Sequence, residues 1–143
     1  MRQEGKTLME LMVIVAILGI VAALGTSSFL ALNSRMQTRC VIEEIASELR
    51  LARQLAIAHR DRVRVVFDID QQIMTAHFVN GATLNRAYRY GDKGIGIDEP
   101  SAGPDILFHP SGRSATATTI LLHGSEGQLH RLTVSLTGRV SIL

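Results

Sequence analysis

From Leu11 to Leu32 the chain carries no charged residue. Leu11 to Leu24 is apolar all round, Gly25-Thr26-Ser27-Ser28 dilutes the run, and Phe29-Leu30-Ala31-Leu32 restores it. A helix rises about 1.5 Å per residue, and a bilayer core of roughly 30 Å needs about 20 apolar residues. The run is long enough to span, and it lacks the polar face of a soluble surface helix. At its mouth stands Glu10, and no further Asp, Glu, Lys or Arg follows until Arg35. A carboxylate at the edge of a membrane segment is costly unless it is paired or wetted. Glu10 is therefore either a functional group or a residue resting at headgroup level, and the physics leaves both open.

Beyond the apolar run the period changes but the helix does not stop. Val41, Ile42, Ile45, Leu49, Ala52, Leu55 and Ala56 recur at three- and four-residue steps, one apolar stripe. Arg39, Glu43, Glu44, Ser47, Glu48, Arg50, Gln54 and His59 fall mostly off it and read as a solvated face. No Pro or Gly interrupts between Thr26 and Asp61. The pattern predicts a single helix from about Thr7 to about His59, some 80 Å long at the same rise. Its second half needs a sheet to cover the stripe.

Strands supply that cover. Arg62–Phe67 alternates at period two, Asp68–Gln72 is turn-like, and Ile73–Val79 and Leu84–Tyr90 read as further strands. Asn80-Gly81 is a two-residue hairpin signal. Gly91–Asp105 is the long irregular piece, with a brief strand expected in Gly94–Ile97. Strands are then expected at Ile106–His109, Thr118–His123, Leu129–Ser135 and Arg139–Ile142. Pro110-Ser111-Gly112, Gly124–Gly127 and Thr137-Gly138 punctuate them. The expected fold class is α+β, a long N-terminal transmembrane helix packed on an antiparallel β-sheet head.

Composition narrows the function classes. The 143 residues suit one modest domain plus a helix, and a formal charge of +2 lacks the basic excess of a dedicated nucleic-acid binder. The single cysteine, Cys40, excludes an intrachain disulfide and a cysteine-built zinc site, and reads as a small residue on the helix. Arg2 and Lys6 before the apolar run balance Arg35 and Arg39 after it, so the positive-inside rule leaves orientation open. An ordinary secretory signal is the competing reading of the N-terminus. The leader is only weakly basic, the apolar run is too long, and Gly25-Thr26-Ser27-Ser28 is a poor cleavage site.

Gly5-Lys6-Thr7-Leu8-Met9-Glu10 and the apolar residues to Ile20 resemble the class III signal of type IV pilins and type II secretion pseudopilins. Three later stretches are similar to the H-type minor pseudopilins (GspH) and the FimT/FimU minor pilins. These are Ser47–Ile57, Phe108-His109-Pro110-Ser111-Gly112 and Leu132–Val140. The resemblance implies cleavage between Gly5 and Lys6 by a prepilin peptidase and N-methylation of Lys6. It also implies that Glu10 sets subunit register by pairing with a neighbour's terminal amine. Lys6 stands where the family usually has Phe, and no Pro occupies the position of Ser27. The implied organisation is a leader at 1–5, a transmembrane and filament-core helix at 6–33, and a periplasmic head at 34–143. The implied partners are other pilins or pseudopilins, the peptidase, the inner-membrane assembly platform and the membrane. The implied localisation is the inner membrane, single pass, and then the assembled filament.

Catalytic chemistry is absent from the pattern. His59, His77, His109, His123 and His130 form no helical pair and no zinc spacing. Ser111 lacks a nucleophile elbow, Gly94-x-Gly96 lacks the third glycine of a dinucleotide site, and Asp68 and Asp70 suit a turn better than calcium. The reading is a non-enzyme without cofactor or metal: a structural subunit priming or capping a type II secretion pseudopilus or type IV pilus. The alternative is a DNA-binding minor pilin for DNA uptake. DNA-uptake members of the FimT group carry a basic Gly-Arg/Lys-x-Arg stretch, and Gly138-Arg139-Val140-Ser141 keeps its first two residues only. Arg139 and Arg131 are the candidate DNA contacts, with Arg86, Arg89, Lys93 and Arg113 available to a patch. Affinity for DNA grows with the number of phosphates neutralised, so the missing second arginine weakens this alternative.

Overall fold

The computed structural model describes residues 8–80, 86–124 and 127–143, with the side chains of 24–34 outside the description. Among the described residues the backbone forms a 52-residue helix, α1 (Leu8–His59), followed by eight strands. It resolves into two compact units, Met1–Ser34 and Arg35–Leu143. The first contains the apolar part of α1, which stays helical through Gly19, Gly25 and the Thr-Ser-Ser run. Among the described residues no helix is long and apolar enough to cross a membrane. The described side chains of the apolar run end at Ala23, and the remainder of the expected span lies outside them.

The second unit is the head. Its strands are β1 (Val63–Asp68), β2 (Ile73–Phe78), β3 (Arg86–Arg89), β4 (Gly96–Ile97), β5 (Asp105–Phe108), β6 (Thr118–His123), β7 (Leu129–Val134) and β8 (Val140–Ile142). They form two four-stranded antiparallel sheets, β3-β2-β1-β5 and β4-β6-β7-β8, where the pattern had pointed to one. Alternation tells which residues face inward, but it does not tell which strands pair. Across the irregular stretch, which also holds a short 3-10 turn at Gly91–Lys93, the chain passes to the second sheet at β4 and returns to the first at β5, and it crosses again between β5 and β6. Gly81 of the expected Asn80-Gly81 hairpin and the start of the third strand fall on residues 81–85, outside the description, as do 125 and 126 in the Gly124–Gly127 turn.

One buried cluster joins the helix to both sheets. Val41, Ile42, Ile45, Leu49, Ala52 and Ala56 of the stripe are buried, joined by Ala46, and Leu55 is half-buried against them. The first sheet contributes Val63, Val65, Phe67, Met74, Ile106 and Phe108, and the second Ile120, Leu122, Leu132 and Val134. Each large aliphatic side chain buried this fully contributes about 1.5–3 kcal/mol.

Local chemistry ends the elements. Arg60 takes a left-handed φ of 52° just past His59, which stops α1. The Asp68 carboxylate accepts the Gln71 N–H at 2.8 Å and Gln72 is left-handed at φ 55°, so Asp68 builds a turn.

Candidate functional site

Glu10 lies in the first turn of α1 and is exposed. A carboxylate there is favoured by the unsatisfied N–H groups of the helix start. Its side chain has no hydrogen-bond or ion-pair partner among the described residues. Around it the surface is apolar: Leu8 is 77% exposed, Met9 75% and Met12 65%. Leu8, Leu11, Met12, Val15 and Ala16 frame a shallow apolar hollow along one side of the helix. Their spacing is the i, i+3, i+4, i+7 repeat that receives another helix or lipid. Exposed apolar surface of this extent marks a protein or membrane contact. Gly5 and Lys6 lie outside the described residues.

In the head, the stretches singled out in the sequence converge. Arg53 of α1 donates from Nε to the Gly112 carbonyl at 2.8 Å. Gly112 and Gly138 are left-handed, with φ of 78° and 74°. A Cβ on Gly138 would lie 2.1 Å from that same Gly112 oxygen. The contact joins the helix, the turn after β5 and the turn after β7.

Three of the basic side chains of the head face carboxylates. Arg86 makes two 2.7 Å bonds to the Glu48 carboxylate. Lys93 and Tyr88 both donate to the Glu44 carboxylate, and Lys93 Nζ lies 3.1 Å from Tyr88 Oη. Arg89 reaches Asp92 at 4.0 Å. These contacts correct the reading of Glu44 and Glu48 as a purely solvated face. Arg86, Tyr88 and Lys93 come from 38 to 49 residues away, so helix periodicity alone could not reveal them. Arg131 and Arg139 are exposed. Their strand register sets them apart: Arg131 exchanges backbone bonds with Leu143, and Arg139 bonds Ser135. That is four residues along the ladder, roughly 13 Å.

Ion pairing shifts the titrations accordingly. Hydrogen bonds from Lys93 and then Tyr88 hold the Glu44 carboxyl below the usual carboxylate range. The bond to Glu44 pushes the Lys93 ammonium up, and burial, then Glu44, pushes the Tyr88 phenol up. Cys40 is exposed on α1 and lines a groove of about 570 Å³ with Met36, Arg39, Glu43, Glu44 and Ser47. Among the described residues no three His, Cys, Asp or Glu side chains form a metal-binding group. His123 Nε2 meets Asp98 at 2.8 Å, and the His59 ring packs edge-on against Phe78.

The fold is similar to that of the type IV minor pilin FimU of Pseudomonas aeruginosa. The TM-score is 0.63 at 16% identity, covering 76% of this chain and 90% of that one. It is also similar to the minor pseudopilin EpsH from the Type 2 Secretion System of Vibrio cholerae. There the TM-score is 0.60 at 16% identity, covering 75% of this chain and 96% of that one. Identity this low carries the fold alone. No curated protein matches the chain in sequence. Residues 41–138, spanning all three head stretches almost in full, match the family described as Type II transport protein GspH, and the chain belongs to that family.

Proposed function

We propose that the protein is a minor pilin or pseudopilin, a structural subunit that primes or caps a type II secretion pseudopilus or a type IV pilus. The observation that carries this reading is Glu10, exposed in the first turn of a 52-residue helix whose surrounding side chains are apolar and uncovered. A membrane anchor needs that surface, and so does the core of a helical filament. A lone acid at its start gives the packing a register, because a carboxylate moved into low dielectric demands a partner.

In this reading a prepilin peptidase cuts between Gly5 and Lys6, and the new Lys6 amine is methylated. Residues 6–33 hold the protein in the inner membrane until the assembly platform adds it to the filament. The head, 34–143, stays in the periplasm and presents its Gly91–Asp105 loop to neighbouring pilins. The protein has no catalytic role in this scheme. Mass spectrometry of the membrane-derived protein tests it: a chain starting at a methylated Lys6 is expected. An intact Met1, or a terminus beyond the apolar run, would sink it.

The DNA-capture alternative gains no support from the geometry. Three of the basic residues that could have built a patch face carboxylates, and Arg131 and Arg139 share one exposed sheet face about 13 Å apart along the ladder. Neutralising several phosphates at once needs clustered cations. A gel shift of the protein across salt concentrations is expected to show no salt-sensitive DNA retention.

A further inference from the structure

We propose that β3 is a releasable edge strand, latched onto α1 by the Glu44 and Glu48 carboxylates, and that ionic strength governs its release. β3 differs from the other strands of its sheet in what it turns inward. β1, β2 and β5 bury Val63, Val65, Phe67, Met74, Ile106 and Phe108. Through its pairing of Arg86 with Ala76 and Tyr88 with Met74, β3 turns Arg86 and Tyr88 to that same face. Arg86, Ala87 and Arg89 are exposed and Tyr88 is half-buried, so little apolar burial holds the strand.

Among the described residues its backbone is held on one side only, by its pairing with β2. The opposite edge strand, β5, is covered by the Ser114 bridge and by the Ala115 N–H bonding Leu107. Besides the packing of Tyr88 against the core, what fastens β3 itself to the helix is polar: Arg86 on Glu48 and Tyr88 on Glu44, the carboxylate that Lys93, beyond Tyr90, also bonds.

The spacing suits a latch. Glu44 and Glu48 are one helical turn apart, about 6 Å of rise. Arg86 and Tyr88 are two strand residues apart, about 6.6 Å. The two ladders match, so both carboxylates engage together. The far end of the segment is anchored differently. Tyr90 is fully buried, its Oη donates to the Asp68 carbonyl at 3.1 Å, and the Tyr90 and Gly91 N–H groups bond Gln72. β3 therefore opens from its Arg86 end and pivots at Tyr90. Opening bares the backbone edge of β2 and frees both carboxylates. Salt acts on this hold because the pairs are solvent-accessible, and the screening length falls from about 8 Å at physiological ionic strength to about 3 Å at 1 M.

Hydrogen exchange of the full-length chain in detergent, at fixed pH, tests the latch. The variants are wild type and Glu44→Gln/Glu48→Gln, each at low salt and in molar NaCl. At low salt the Arg86–Arg89 segment is expected to exchange about tenfold faster in the double variant. Salt should speed wild type toward that rate and move the variant less. The β6–β7 ladder should not change in any arm. Equal β3 rates in both proteins would overturn the proposal. So would acceleration of β6–β7 in parallel with β3, which would mean a loss of global stability instead.

Discussion

Arg53 and Gly112 are 59 residues apart in the chain and joined by a 2.8 Å bond from Nε to the carbonyl. Gly138 closes over that oxygen, and Arg53 Nε would lie 2.8 Å from a Cβ placed there. The glycine is needed twice, for its φ of 74° and for its missing side chain. Gly138 is thus a packing joint as well as the start of the Gly-Arg stretch considered for DNA.

That joint can be tested against a glycine that has only the backbone requirement. Gly94 has a φ of 70° and no atom within 4 Å of a built Cβ. Gly94→Ala should cost about 1 kcal/mol, the left-handed penalty. Gly138→Ala adds displacement of a carbonyl and disturbance of its bond, and should cost about 3 kcal/mol. Arg53→Met alone should cost about 1–2 kcal/mol. Combined with Gly138→Ala it should cost less than the sum, because both act on one oxygen. Thermal melting by circular dichroism reads all four. Equal losses at Gly94 and Gly138, with full additivity at Arg53, would remove the joint.

Acid should weaken the Glu44 contact. Its carboxyl titrates below the usual range in the folded chain, chiefly because Lys93 and Tyr88 bond it. The unfolded chain then binds more protons at acidic pH, so stability rises with pH there. The contribution is complete above the ordinary carboxylate value and is lost as pH falls through the lowered one. Lys93 has the opposite sign: its raised value keeps a contribution that disappears only at alkaline pH above the ordinary lysine range. Glu44→Gln should therefore flatten the fall of the melting temperature as pH drops below the ordinary carboxylate range. It should leave neutral pH nearly unchanged, since exposed pairs are worth about 0–1 kcal/mol. An unaltered acid limb in the variant would contradict the assignment.

The parts of the fold legible in the sequence are those that local periodicity dictates. The stripe from Val41 to Ala56 is buried as spaced, and Thr118–His123 is a strand with the expected bounds. The division into two sheets was not legible, because period two marks faces and not partners. Tyr90 read as the end of a strand, yet it is fully buried and anchors a turn to Asp68 and Gln72. Glu44 and Glu48 looked solvated because their partners lie on a strand and a turn far along the chain. Arg53, Gly112 and Gly138 were visible only as members of three separate stretches, and their meeting point is set by the tertiary fold.

Glu10 is where the filament reading is most exposed to test. Glu10→Val removes the charge and keeps the apolar surface, so membrane insertion should be retained. In the proposed reading the register contact is lost, and leaving a partner amine unpaired in low dielectric costs about 3 kcal/mol or more. Incorporation into sheared filaments should fall at least about tenfold, since 1.4 kcal/mol is already a factor of ten. Glu10→Asp keeps the charge on a shorter arm and should recover part of the loss. Immunoblots of the membrane and sheared fractions separate the outcomes. Incorporation of Glu10→Val at the wild-type level would leave Glu10 as a residue that merely caps the helix start.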